Sequence, residues 1–131
     1  MRTFNLTYVV EDDKIAAAMA DYTLNNNACF NQVVVFENGR KAIEAILENI
    51  KLKTQMPDLI LLDLNMPIMD GWEFLDAITE MEKASQIPII VLTSSIIESD
   101  KERAMVYKIV KGYLLKPLVE ENVPALLELL Y

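Results

Sequence analysis

Residues 59–75, LILLDLNMPIMDGWEFL, decide the fold. The apolar run Leu59 to Leu62 is too short for a helix and shows no polar alternation, the pattern of a strand buried on both faces. Asp63 ends the run, Pro67 restricts the backbone of the loop that follows, and Gly71 supplies conformations that other residues avoid. Past Gly71 the apolar residues return at helical spacing, with Leu75, Ile78 and Glu82 on one line and Phe74 and Met81 alongside. A buried strand, a loop headed by an acid and an amphipathic helix make one β–loop–α unit.

The unit recurs on both sides. Further short apolar runs lie at Leu6 to Val10, Val33 to Phe36, Ile89 to Leu92 and Tyr113 to Leu115. Helical spacing appears at Ile15, Met19 and Tyr22, at Ile43, Ile46, Leu47 and Ile50, and at Val123, Leu126, Leu127 and Leu130. The last of these helices takes Asn122 as its N-cap and tolerates Pro124 in its first turn. Ser99 to Lys108 is the weakest helix, because its apolar stripe is thin. Glu48 to Gln55 (ENIKLKTQ) reads as a polar helix end and loop. Five strands, each followed by a helix, imply an α/β domain of three layers, because right-handed crossovers put helices on both faces of a parallel sheet. Ligands of such sheets bind beyond the carboxyl ends of the strands, where the strand order reverses.

Composition narrows the function. The 131 residues, 53% of them hydrophobic, suffice for one well-buried domain, residues 1–131. A net charge of −8 opposes binding to a phosphate backbone, so no direct nucleic-acid contact is expected. The single Cys29 excludes an intramolecular disulfide and fits a reducing cytoplasm. No apolar stretch reaches the length of a bilayer span, and the N-terminal MRTFNLTYVVEDD has no basic segment leading into a long apolar run. The chain contains no histidine, which removes Ser/His/Asp and Cys/His catalysis and Cys/His zinc sites together. Any chemistry rests on carboxylates, hydroxyls, lysine or a metal.

The residues at the strand ends are of those kinds. Glu11 and Asp12 follow the first strand, Asp63 the third, Thr93 and Ser94 the fourth, and Lys116 the fifth. A single acid in such a place serves equally well as a helix cap or a solvated turn. Three that converge repel one another by about 4 kcal/mol per pair at 4 Å, and so require a divalent cation, a proton or a lysine. Mg²⁺ suits such a trio, because it takes hard oxygen ligands and keeps waters that a phosphate can replace. Lys116, directly before Pro117, brings a fixed ammonium, and the Thr93 hydroxyl can donate to a phosphoryl oxygen.

In this order the motifs resemble the response-regulator receiver family from Leu6 to Leu130. VVEDD is similar to the family's acidic pair, LLDLNMPIMDGWEFL to its phosphoacceptor loop, VLTSS to its hydroxyl position and YLLKPL to its lysine followed by proline. The spacings of Thr93 and Lys116 from Asp63 agree as well, while the segment before the third strand is several residues long, with the insertion near Lys51 to Met56. The resemblance implies a flavodoxin-like, doubly wound sheet of strand order 2-1-3-4-5, and a domain that accepts a phosphoryl group rather than a conventional enzyme. It implies that Asp63 is phosphorylated in a Mg²⁺-dependent reaction, that Asp12 binds the ion directly, that Glu11 assists through a water, and that Asn65 offers its backbone carbonyl. Asn65, Thr93, Ser94 and Lys116 would hold the phosphoryl group, and Thr93 with Tyr113 would form the switch. Asp13 follows the acidic pair and starts the first helix, while Ser95 near the site entrance would tune hydrolysis.

The implied donor is a phosphohistidine on a sensor histidine kinase or histidine phosphotransfer protein, necessarily another chain. The implied output face is 98–130, where family members dock a downstream protein or form homodimers. Three rivals compete. A haloacid-dehalogenase-like phosphatase needs an acid two residues after its nucleophile, where this chain has Asn65. A flavin carrier of the same architecture needs a phosphate cradle where Glu11 and Asp12 would repel it. A degenerate receiver, used only for protein contacts, would have lost a site acid or the lysine.

Overall fold

The computed structural model describes residues 3–94 and 97–131. Its elements alternate: β1 (Phe4–Val10), α1 (Lys14–Asn25), β2 (Phe30–Phe36), α2 (Gly39–Leu52), β3 (Leu59–Asp63), α3 (Gly71–Thr79), β4 (Ile89–Thr93), α4 (Glu98–Met105), β5 (Val110–Leu115), a 3₁₀ turn (Glu120–Asn122) and α5 (Val123–Leu130). The strands pair in parallel in the order β2-β1-β3-β4-β5. This is the doubly wound, flavodoxin-like sheet expected. Two apolar clusters lie on opposite faces of it. Ile60, Leu62, Ile89 and Val91 point toward Ile43 and Ile46 of α2 and Phe74, Leu75 and Ile78 of α3. Their strand neighbours Leu59, Leu61, Ile90 and Leu92 point the other way, toward Ala20 and Leu24 of α1 and Val123 and Leu126 of α5. Each fully buried Leu or Ile contributes roughly 1.5–3 kcal/mol, so the central strands β3 and β4 anchor the domain.

Several local expectations change. Ile15 and Tyr22, read as the apolar stripe of α1, are 74% and 73% exposed. The helix instead buries Ala17, Ala20, Thr23 and Leu24, because small side chains let it lie close to the sheet. The third helix stops at Thr79, whose hydroxyl donates to the carbonyls of Leu75 and Asp76; Met81 and Glu82 belong to the turns that follow. Asn122 holds the N-cap position of α5 as expected, but its side chain makes no capping hydrogen bond to the helix. The residue's backbone is already helical, and its side chain accepts the Val119 amide, closing the 3₁₀ turn. Strands β2 and β5 start three residues before their expected positions, hidden by the polar Asn31, Gln32 and Lys111. Phe30, stacked on Phe4 with ring centroids 5.5 Å apart, begins β2.

The loop after β3 also works differently from its sequence reading. The left-handed residue is Ile68, with φ 70°, and no glycine has a positive φ. Gly71 is required for space: a Cβ there would stand 2.6 Å from Leu64 Cα and 2.8 Å from the Asp63 carbonyl oxygen. The start of α3 is thereby pressed against the strand end that carries Asp63. Asp70 and Glu73 complete the start with a reciprocal capping box.

Candidate functional site

Register brings the candidate residues to one place. Val10 faces Leu62 across the β1–β3 pairing, so Glu11 and Asp63, the next residue of each strand, stand level. Asp63 faces Leu92 of β4, which sets Thr93 one step beyond it, and Thr93 faces Leu115, which sets Lys116 next to it. Two backbone bonds fix the ends: Glu11 N–H donates to the Phe36 carbonyl at 2.9 Å, and Lys116 N–H to the Thr93 carbonyl at 2.8 Å. The cluster lies where the chain crosses from β1 to β2 on one side and to β3 on the other, the reversal point expected to bind ligands.

One carboxylate oxygen each from Glu11, Asp12 and Asp63 lie within 4.8 Å of one another. Glu11 and Asp63 are buried, at 4% and 3% exposure, and Asp12 is exposed. Two unit charges at that separation repel by about 3 kcal/mol at an effective dielectric near 20. Lys116 relieves part of this, with Nζ 2.7 Å from Glu11 Oε1 and 3.3 Å from Asp63 Oδ2. Burial nevertheless pushes the Glu11 carboxyl up to about 7, against the lowering effect of Lys116 and with a further rise from Asp63. Burial opposes the Lys116 ammonium, but the two carboxylates outweigh it and hold the lysine above its ordinary range. A buried, crowded and incompletely neutralised oxygen set of this kind fits a hard divalent cation.

The remaining expected residues divide. Asn65 donates its amide to Asp63 Oδ1 at 3.3 Å while its side chain is exposed. Thr93 is buried at the end of β4, and Ser94 is exposed beside it. Tyr113 is half-buried, and its hydroxyl donates to the Asp100 carbonyl on α4 at 3.2 Å. Ser95 lies outside the described residues.

Asp13 has a larger part than its sequence reading gave it. Its side chain caps α1 by accepting the amides of Ile15 and Ala16, and its own amide donates to Glu11 Oε2 at 3.1 Å. The reading also missed the ties that hold α4 and the turn after it to α3. The Arg103 guanidinium lies 4.0 Å from the centre of the Trp72 ring, and the Tyr107 hydroxyl donates to Asp76. No sequence pattern announces these pairs, because they join residues far apart in the chain.

The chain matches the family described as "Response regulator receiver domain" over residues 7–128. It is 34% identical over 127 residues to the probable transcriptional regulator ycf29 of Porphyra purpurea, covering 96% of this chain and 56% of that protein. A two-component response regulator from Cytophaga hutchinsonii shares the fold, with TM-score 0.85, 23% identity and 98% coverage of both chains. The Mn(2+)-bound form of response regulator Rcp1, a protein of Synechocystis sp., superposes with TM-score 0.73 and 28% identity, covering 94% of this chain and 88% of that one.

Proposed function

Given that the chain belongs to the response regulator receiver domain family, we propose that it accepts a phosphoryl group on Asp63 and relays the event through α4, β5 and α5. The observation that carries this reading is a buried Asp63 flanked by Lys116 at 3.3 Å and sharing a 4.8 Å carboxylate cluster with Glu11 and Asp12. Phosphoryl transfer needs mainly positioning and neutralisation of charge on the equatorial oxygens. Asp63 attacks the phosphorus in line, a new O–P bond forms, and the donor's bond to phosphorus breaks. Lys116 neutralises oxygens of the incoming group, and the Thr93 hydroxyl with the backbone near Ser94 donates to them. Mg²⁺, held by Asp12, Asp63 and the Asn65 carbonyl with Glu11 assisting through a water, would supply the remaining positive charge.

The proposed donor is a phosphohistidine on a sensor histidine kinase or phosphotransfer protein. With a small-molecule donor the domain would catalyse its own modification, and it would later hydrolyse the acyl phosphate. The modified side chain carries roughly 1.5 to 2 negative charges and new acceptors. Thr93 would then turn toward the phosphoryl group, and Tyr113 would exchange its Asp100 partner for the space vacated, shifting the population of α4 positions. The 98–130 face so altered would bind a downstream protein or a second copy of the chain.

Intact-mass analysis after incubation with acetyl phosphate tests the proposal. One phosphoryl adduct that needs Mg²⁺ and is lost in Asp63→Asn is expected. An adduct of equal yield in Asp63→Asn would place the chemistry on another residue and refute the assignment.

A further inference from the structure

The outermost strands of the sheet are β2 and β5. An edge strand offers unpaired amides and carbonyls to any other strand, and proteins usually blunt it with a charge, a proline or a bulge. β5 is blunted in this way: it carries Lys111, and its register against β4 shifts between Ile89 and Ile90. β2 carries none of these devices. Its sequence, FNQVVVF, has no charge, proline or glycine and is rich in β-branched and aromatic residues. No charged residue lies between Asp21 and Glu37, the longest such gap in a chain of net charge −8. Asn31 and Gln32 are exposed, and Val35 is 40% exposed. The strand is also a fixed template. It pairs with β1 from Phe30 to Phe36, and the Phe4–Phe30 stack pins its start. The Phe36 carbonyl accepts the Glu11 N–H and so faces β1. Alternation along a strand then turns the amides and carbonyls of Val33 and Val35 to the outer edge. Among the described residues, no loop or helix backbone bonds to them there.

We propose that the β2 edge pairs with the β2 edge of a second copy of this chain, antiparallel about a two-fold axis through Val33, so that one sheet runs through both copies. Two chains that each carry a charge of −8 repel one another, and the uncharged gap is where their backbones can meet with no like charges face to face. About that axis Val33 lies opposite its own counterpart, and Asn31 lies opposite Val35 of the other copy. Glu37 then falls opposite Cys29 and not opposite an acid. A two-fold contact of this kind closes on itself, so it gives a dimer and not a fibre. The surface lies at the other side of the sheet from β5. It is therefore separate from the 98–130 face, and the pairing requires no phosphoryl group.

Sedimentation equilibrium of the unphosphorylated protein tests the pairing. A dimer with a dissociation constant between about 10 µM and 1 mM is expected, as for a small transient interface, and a monomer throughout that range would overturn the proposal. Val35→Glu places a carboxylate from each copy in the seam and should weaken the dimer at least about tenfold. Adding Asn31→Lys sets a lysine opposite each glutamate and should restore the parent constant to within about threefold, which also shows that the first variant folds. A loss that Asn31→Lys does not repair would overturn the two-fold pairing. Val106, 80% exposed at the end of α4, supplies the contrast. Val106→Glu should leave the dimer intact, and a dimer lost in that variant but kept in Val35→Glu would belong to the 98–130 face and contradict the proposal. The parent protein gives a second readout that needs no variant. The Val33 and Val35 amides should exchange hydrogen more slowly as protein concentration rises through the same range, and rates indifferent to concentration would contradict the pairing.

Discussion

The carboxyl ends of β1, β3 and β5 and the helix α4 are held by opposite means. At the strand ends, backbone pairing fixes Glu11, Asp63 and Lys116, the two acids are buried and the lysine partly so, and the charges themselves are the source of tension. On α4 only Ala104 is buried, while Ile97, Met105 and Val106 face solvent. The helix and the turn after it are kept in place by side-chain ties: Arg103 on Trp72, Tyr107 of the turn to Asp76, and Tyr113 of β5 to the Asp100 carbonyl. A region fixed by the sheet can hold reacting groups in register, and one fixed by a few polar ties can change position for a small free energy. Under the proposed function, the division puts chemistry and response in different kinds of structure.

The largest expected effect falls on the fixed region. Asp63→Asn should reduce the acetyl phosphate adduct at least about a hundredfold by mass spectrometry, since the nucleophile is gone. Gly71→Ala should come next. Its Cβ has no room beside Leu64 and the Asp63 carbonyl, so a loss of roughly 1–3 kcal/mol in urea unfolding is expected, with slower modification because the strand end must shift. A loss under 0.5 kcal/mol would show that the loop yields more easily than its geometry requires.

The pH dependence sharpens the same side of the comparison. Burial raises Glu11 to about 7, so across the interval from its ordinary value to 7 the folded protein holds a proton that the unfolded chain releases. Stability attributable to this group is therefore present at low pH and declines as pH rises through that interval. Without Mg²⁺, the unfolding free energy of the parent relative to Glu11→Gln should fall by about 1–3 kcal/mol between pH 4.5 and 8. A difference that rises with pH would contradict the assignment. The smallest effect lies on the responsive side. Tyr107→Phe should cost only about 0.5–1.5 kcal/mol, yet it should raise hydrogen exchange selectively in α4.

The same division governs what could be read in the sequence. The fold and the clustering of the candidate residues were legible, because each strand contains a short apolar run and the candidates lie at or just past the ends of these runs. The strand order came with the family resemblance, and given that order the convergence of Glu11, Asp12, Asp63, Thr93 and Lys116 follows from the strand ends being level. Contacts between helices were not legible. Tyr22 and Ile15 match a helical stripe as well as Ala17 and Ala20 do, and only packing distance decides which face turns inward. In the β3–α3 loop, Gly71 announced a special position but not its reason, which is proximity to Leu64 rather than a left-handed backbone. The Asp70 to Glu73 spacing is a capping-box signature that sequence alone offers.

Peptide-resolved hydrogen exchange on the parent protein, with Mg²⁺ alone and with Mg²⁺ plus excess acetyl phosphate, tests the division most directly. Phosphorylation should change exchange in residues 98–115 and leave β1 and β3 as they were, with no change in Asp63→Asn. A response spread evenly through the central strands, or one that persists in Asp63→Asn, would contradict it.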